Sequence, residues 1–198
     1  MSTERRILLA AERLFAERGI EGVSLRAVMA AAGTNVAAIH YHFGSKEALV
    51  EALIAQRSGE ISQRRAAMLD RLDSTKRITA RQLAEAFVVP VAEVTLAGGD
   101  SWVRFISGLI NGTHPAMTLV TQGFFDQARQ FTALLQQLHP QWPMAKILFR
   151  LSQAMTLTIH VLGDIEGVQR TIAVSKTELS RTEVVDQLLD LVTATLKA

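Results

Sequence analysis

The chain has 198 residues, a formal net charge of +2, 48% hydrophobic residues and no cysteine. This hydrophobic content excludes general disorder, and the length is enough for one or two domains with a full core. Without cysteine, a disulfide framework and thiolate chemistry are both excluded.

The beginning of the chain does not follow the pattern of a signal peptide, because Glu12 and Arg13 interrupt its first apolar run. The longest uncharged apolar run, residues 151–163, is shorter than the ~20 residues that a membrane span needs. We therefore expect a cytoplasmic protein with no membrane partner.

Charge is distributed unevenly along the chain. Residues 1–81 contain thirteen Lys or Arg and nine Asp or Glu, a formal charge of +4, whereas residues 82–198 contain eight and ten, a charge of −2. A basic N-terminal part suits a protein that presents one end to phosphate, although chance variation in surface charge explains such an imbalance equally well.

Two short helices are predicted near residue 30. Ser24 is a suitable N-cap for a helix over Leu25–Ala32, and Gly33 follows where a left-handed residue is needed. Asn35 can cap the next helix, from Val36 to about His42. Two short helices joined by a glycine-containing turn form a helix-turn-helix unit.

The surrounding residues resemble the N-terminal domain of the TetR family of bacterial transcriptional regulators over positions 5–54. Residues 6–15 followed by Gly19 correspond to that family's first helix and its stop. The segment IHYHFGSKEAL at 39–49 is similar to the family's signature around the third helix. The sequence departs from the usual pattern at three positions, which carry Ala37, Ala38 and His40.

The rest of the chain is predicted to be helical, with Gly44 and Ser45 ending the third helix and capping the fourth. Pro90 is expected to kink its helix, residues 163–180 are predicted to be a loop, and no β-hairpin signal is present. Helices are expected over about 46–72 with a possible break at Ser58-Gly59, then over 80–97, 102–111, 116–138, 144–162 and 181–196.

These elements predict an all-α fold. The resemblance implies a three-helix helix-turn-helix DNA-binding domain at 1–50 and a helical effector-binding and dimerisation domain at 51–198. The helices at 145–162 and 181–196 have wide apolar faces that need a partner surface. The resemblance implies that they pair with their copies in a homodimer, and packing within one subunit is the alternative.

The resemblance also implies which residues contact a double-stranded DNA operator. The predicted contacts to base edges or adjacent backbone are Arg26, Val36, Ala37, Ala38, His40 and Tyr41, the predicted phosphate contacts are Ser24, His42 and Lys46, and Asn35 belongs to the same surface. Lys46 opens a helix, where its ammonium opposes the helix dipole, so a nearby phosphate would explain its position. A solvated surface charge is the alternative for Lys46.

A cavity for a small-molecule effector is expected between the later helices, because aromatic and methionine side chains there are interspersed with a few polar groups. The candidate ligand-binding residues are Trp102, Arg104, Phe105, Phe124, Arg150, Met155 and His160. A plain core position is the alternative for each of them, and for Arg150 it is an ion pair with Asp126 or Glu93.

Catalytic patterns are missing from the sequence. No histidines follow the His-Glu-x-x-His spacing, and no nucleophile elbow, P-loop or dinucleotide fingerprint occurs. We therefore expect no catalytic residues, metal or cofactor. The expected function is a dimeric, ligand-responsive transcriptional repressor that a small, largely hydrophobic effector releases from a palindromic operator. The alternatives are a ligand-binding helical dimer without specific DNA binding and a helical-bundle enzyme.

Overall fold

A computed structural model describes residues 1–35, 41–73, 77–110 and 114–197, although the side chains of Asp73, Met117 and residues 119–126 lie outside that description. Within these ranges the regular structure is helical and no strand occurs, which confirms the all-α class. The helices are α1 (Thr3–Arg18), α2 (Leu25–Ala32), α3 (Lys46–Asp73), α4 (Ala80–Val94), α5 (Asp100–Ile110), α6 (Met117–Leu138), α7 (Met144–Gly163), α8 (Ile165–Ala173) and α9 (Arg181–Leu196).

Within the described ranges, no helix is both long and apolar enough to cross a membrane. No cluster of three or more histidine or acidic side chains there could hold a metal ion.

The caps predicted for the N-terminal helices are confirmed. The Ser24 hydroxyl accepts a hydrogen bond from the Ala27 amide at 3.2 Å, and α2 ends at Gly33, which is left-handed with φ 61° and ψ 42°. The Ser45 hydroxyl accepts from the Ala48 amide at 3.1 Å at the start of α3. Most of the predicted third helix lies outside the described residues, but its last two positions, 41 and 42, are helical.

Helix α3 belongs to both parts of the chain. It runs for 28 residues without the break considered at Ser58-Gly59, and the predicted domain boundary at residue 50 falls inside it. Its first half buries Leu49 and Leu53, and its second half buries Leu69. At 1.5 Å per residue it extends for roughly 40 Å, so a displacement at one end can be carried to the other.

Helix α4 continues through Pro90 and ends at Val94, three residues before its predicted end. The interruption occurs in a π-helical turn at Thr95–Gly99, where Gly98 has a φ of 88°. Proline has no amide hydrogen, so the Ala86 carbonyl loses its usual helical donor. The guanidinium of Arg65 on α3 supplies a replacement, because its Nε donates to that carbonyl at 3.3 Å.

The prediction of a loop over residues 163–180 is wrong, because α8 lies within it. Asp164 caps this helix by accepting a hydrogen bond from the amide three residues later. Ile165 is buried, and Val168 and Ile172 continue its inward stripe at helical spacing. The helical spacing of these three apolar residues is hard to recognise in the sequence, because charged residues and a second glycine lie among them.

The cap geometry leads to a prediction with opposite signs at two glycines. Gly33→Ala should destabilise the protein by about 1 kcal/mol, because a side chain at positive φ is strained. Gly59→Ala should stabilise it by about 0.5–1 kcal/mol, because Gly59 lies in open space in the middle of α3 and alanine favours the helix. Urea unfolding at one fixed protein concentration measures both changes. A destabilised Gly59→Ala variant, or an unchanged Gly33→Ala variant, would contradict this account.

Candidate DNA interface and effector cavity

The described part of the predicted DNA surface is open to solvent. Tyr41 is 86% exposed, and its ring meets the ring of His42 edge-on at a centroid distance of 5.1 Å. Arg26 is exposed on α2, whereas Phe43 packs against the core. The two aromatic groups therefore project from a segment that Phe43 anchors.

The residues predicted to meet phosphate lie at helix starts. Ser24 uses its oxygen lone pair to cap α2, which leaves its hydroxyl hydrogen available as a donor. Lys46 is the first residue of α3 and is half-buried. The next residue, Glu47, has its pKa held below the ordinary value by hydrogen bonds from its own amide and from Ser45. The positive end of the helix dipole, at the start of α3, stabilises this carboxylate.

Other predicted contacts fall outside the described residues. These are Val36, Ala37, Ala38 and His40. Asn35 immediately precedes them and is exposed, as a residue at the start of the third helix would be. Their roles at DNA remain predictions.

A buried carboxylate joins the N-terminal helices to the later ones. Glu12 on α1 is 4% exposed and accepts hydrogen bonds from the backbone amide of Trp102 and from Nε of Arg57, the latter at 3.4 Å. Burial raises the pKa of Glu12, and Arg57 opposes that shift. Trp102 lies in the first turn of α5, so a side chain of α1 helps to hold the start of α5.

Trp102 has contacts on two further sides. Its indole nitrogen donates to the Leu53 carbonyl of α3 at 3.2 Å, and its ring lines a partly open cavity. Close by, the rings of Phe15 on α1 and Phe105 on α5 lie 6.0 Å apart. Three helices therefore meet at Trp102, two of which begin in the DNA-binding part of the chain.

The cavity behind Trp102 has a volume of about 80 Å³ and lies between α3, α4, α5 and α7. It brings together two of the predicted ligand residues, Trp102 and Met155. The described residues that line it are Ser58, Ile61, Ser62, Arg65, Phe87, Val91, Trp102, Ile106, Ile110, Met155, Thr158 and Ile159.

Sequence reasoning missed Arg65. Its side chain is almost fully buried, and its Nη1 and Nη2 donate to the Gln127 side-chain oxygen and to the Phe87 carbonyl, each at 3.2 Å. Burial lowers the pKa of Arg65 to about 10, so the guanidinium remains charged at neutral pH. The available signal was its spacing, since Arg65 lies four residues after the buried Ile61 and four before the buried Leu69.

Two other predicted ligand residues line a different space. An open cleft of about 530 Å³ separates α5 from the end of α1, and both Arg104 and Phe105 line it. Nε of Arg104 donates to the Gly163 carbonyl at 3.1 Å. On the same cleft, His114 accepts from the Ala116 amide through Nδ1, and its Nε2 lies 3.6 Å from the Glu21 carboxylate.

The remaining predicted ligand residues do not line the cavity. Nη1 of Arg150 donates to the Thr195 carbonyl at the end of α9 at 3.0 Å, while Glu93, considered as its partner, pairs with Arg64. His160 lies on the exposed side of α7. Phe124 has a side chain outside the described set.

Both parts of the chain match models of one family. Residues 7–53 match the model of bacterial regulatory proteins of the tetR family, and residues 85–195 match the Tetracyclin repressor-like C-terminal domain. The second match alone covers more than half of the chain. The chain therefore belongs to the TetR family and is a DNA-binding transcriptional regulator of the helix-turn-helix type.

Individual relatives agree with this assignment. The HTH-type transcriptional regulator UidR of Escherichia coli K12 is 39% identical over 54 residues, which span 27% of this chain and 28% of that relative. The TetR-family regulator PfmR from Thermus thermophilus has 16% identity and a TM-score of 0.69, over 100% of this chain and 97% of that one. The ketosteroid transcriptional regulator KstR2 of Mycobacterium tuberculosis has 18% identity and a TM-score of 0.67, over 98% and 94%. At these identities, the two structures show a shared fold alone.

The environment of Glu12 predicts a pH dependence of stability. Because its pKa is raised in the folded state, the unfolded chain loses this proton first as pH rises above the ordinary carboxyl pKa of about 4.3. Wild type should therefore lose stability relative to Glu12→Gln as pH rises through the interval up to the raised pKa. Urea unfolding of both proteins at matched concentrations across this interval measures the difference.

Glu183 supplies a control of opposite sign. Its bonds to Ser180 in the α9 capping box lower the pKa of this carboxyl. Wild type should gain stability relative to Glu183→Gln as pH rises from the lowered pKa towards the ordinary value. Parallel curves for wild type and Glu12→Gln would contradict the assigned environment of Glu12.

Proposed function

We propose that this regulator is a homodimeric repressor that leaves a palindromic operator when a small, largely hydrophobic effector occupies its helical domain. The observation that carries the proposal is the position of Trp102. Its ring lines the cavity, while its amide is bound by Glu12 of α1 and its indole by the Leu53 carbonyl of α3. A molecule in the cavity would contact Trp102, which is held by α1 and α3, and both of these helices begin in the DNA-binding part of the chain.

The proposed division of DNA contacts follows from side-chain chemistry. Val36, Ala37 and Ala38 have no hydrogen-bonding groups, so they can only meet thymine methyl groups or allow close approach. Hydrogen-bonded recognition of base edges would then depend on Arg26, Tyr41 and the predicted contact His40. Asn35 would lie beside these residues, and the contacts to phosphate would come from Ser24, His42 and Lys46.

This division predicts different effects for two kinds of substitution. Arg26→Ala and Tyr41→Ala should each weaken specific binding by ~1–3 kcal/mol, because each removes a contact to the bases. Lys46→Ala should weaken binding to all sequences alike and flatten the salt dependence by about one unit, because it removes a phosphate contact. Duplexes selected from a random library, titrated at several salt concentrations, provide the measurement.

A matched arginine controls for net charge. Arg170 is exposed on α8, in the helical domain, so Arg170→Ala should leave binding unchanged. The assignment of roles is wrong if Lys46→Ala alters base preference while Arg26→Ala does not.

The proposal of a dimer is supported by an apolar face that its own subunit leaves open. Leu148 and Phe149 on α7 are 52% and 62% exposed, and Leu191 on α9 is 55% exposed. These two helices pack against each other, and Ser152 and Thr156 extend the exposed stripe along α7. Small residues beside large apolar ones allow close approach of a second helix. Two copies would also place two recognition helices on half-sites about 34–36 Å apart, or a multiple of this distance.

Interrupting this stripe should separate the subunits. Phe149→Glu would place a charge in the proposed interface, which is costly to bury without a partner, so the protein should sediment as a monomer. Val174 is 83% exposed in the segment after α8, and Val174→Glu should leave the mass unchanged. Sedimentation velocity and a DNA footprint of each variant test the proposal. A monomeric wild-type protein, or an isolated half-site protected by it, would contradict the dimer.

Release of the operator requires an effector that prefers the DNA-incompetent arrangement. The cavity of about 80 Å³ is well below the roughly 300–1,000 Å³ of ordinary ligand pockets. A larger effector would have to enlarge it, and the wall that includes Trp102 would then move. A coupling of ~1–3 kcal/mol would lower operator affinity about five- to 150-fold, and operator would weaken effector binding by the same factor.

A further inference from the structure

We propose that the cavity selects a small carboxylic acid in its ionised form and that Arg65 binds the carboxylate. This inference rests on the proposed function, in which the cavity holds the effector. It assigns the anionic end of that effector to a residue of α3, the helix whose first turn lies in the DNA-binding part of the chain.

The wall from α3 is the polar side of the cavity. It carries Ser58, Ser62 and Arg65, which lie on one face of the helix at a spacing of three to four residues. The walls from α5 and α7 are apolar apart from Thr158, whose hydroxyl donates to the Ala154 carbonyl of its own helix. A ligand with one anionic end and one apolar end matches this division.

Among the described residues, the partners of the guanidinium fall into two classes. It donates to the backbone carbonyls of Ala86 and Phe87 on α4, near Pro90, and these bonds support the proline-containing turn. It also donates to the side-chain oxygen of Gln127 on α6. The backbone carbonyls are fixed by their helix, whereas the Gln127 side chain can rotate away, so Gln127 is the exchangeable one of these described partners.

A carboxylate is the stronger acceptor for this exchange. With a carboxylate both partners of the hydrogen bond are ionised, whereas with Gln127 only the guanidinium is, and the guanidinium fork matches a carboxylate geometrically. Burial has already removed much of the water from Arg65, as the lowered pKa of its guanidinium indicates. An entering anion therefore gains electrostatic energy that a neutral molecule of the same shape does not.

The exchange would alter a contact between helices. Gln127 currently donates to the Ser62 carbonyl at 2.7 Å while it accepts from Arg65, and so connects α6 to α3. A carboxylate at Nη1 would displace the Gln127 oxygen and loosen this connection. The volume of about 80 Å³ limits the fit, without enlargement of the cavity, to an acid with a short chain.

Isosteric pairs of probes test the inference. Butyrate and butyramide have nearly the same shape and differ in charge, and so do propionate and propionamide. We expect each carboxylate to bind about tenfold more tightly than its amide, the difference between a hydrogen bond to a charged and to a neutral acceptor. Calorimetry on the full-length protein measures affinity, and emission from Trp102 in a Trp142→Phe background places the probe at the cavity.

Variants assign the preference to one residue. Arg65→Gln should abolish it, and Arg65→Lys should retain part of it. Arg64→Gln is the matched control, because Arg64 is the neighbouring exposed arginine and pairs with Glu93 on the surface. Gln127→Ala should tighten carboxylate binding, because the exchangeable partner is gone. This variant keeps the test informative if both substitutions of Arg65 prevent folding.

The outcomes separate this inference from the proposed function. Equal binding of carboxylate and amide, or loss of the preference in Arg64→Gln, overturns the assignment to Arg65. If neutral compounds release the operator while no carboxylate binds, the assignment to Arg65 is also overturned. The proposal that the regulator responds to a ligand is then still supported. A carboxylate preference that depends on Arg65 but leaves operator affinity unchanged supports the inference and contradicts the effector role of the cavity.

Discussion

The buried carboxylate of Glu12 is the constraint on which the arrangement of this protein depends. It lies on the inward face of α1, and its partners come from α3 and α5. Leaving such a buried acceptor without its hydrogen-bond partners typically costs about 1–3 kcal/mol. Helices α1, α3 and α5 are therefore held as a group, and a displacement of α5 is opposed unless α1 follows it. This connects α5 directly to α1 and α3, both of which begin in the DNA-binding part of the chain.

The bend between α4 and α5 receives contacts from several directions. A side chain at Gly99 would collide with Val94 of the preceding turn and would also come close to the Arg57 guanidinium. From the other side, Arg181 at the start of α9 donates to the Thr95 carbonyl and to the Asp100 carboxylate. The bend therefore lies beside Arg57, which pairs with Glu12 of α1, and it is bound by α9, a helix of the proposed dimer interface. A π-helical turn often marks such a functional position.

The sequence predicted features that depend on neighbouring residues. The caps at Ser24 and Gly33 require only the few residues that surround them, so their pattern could be recognised without the fold. The roles of Glu12 and Arg65 could not, because their partners lie 21 to 90 positions away and include backbone groups. At Pro90 the sequence shows that an amide hydrogen is missing, but not that Arg65 supplies a donor to the Ala86 carbonyl. Arg150 is a cation on an otherwise apolar helix, and Arg65 likewise lies in line with the buried apolar residues of α3.

The most direct test of the central claim asks whether operator binding reaches Trp102. In a Trp142→Phe protein, Trp102 is the only source of indole emission, since the chain has two tryptophans. Titration with a duplex selected from a random library should change this emission in parallel with the binding curve. A Trp102→Phe protein, which retains Trp142 beside His139, serves as the control and should show no change. Constant Trp102 emission up to saturation with operator would contradict the proposed connection between the DNA-binding helices and the cavity.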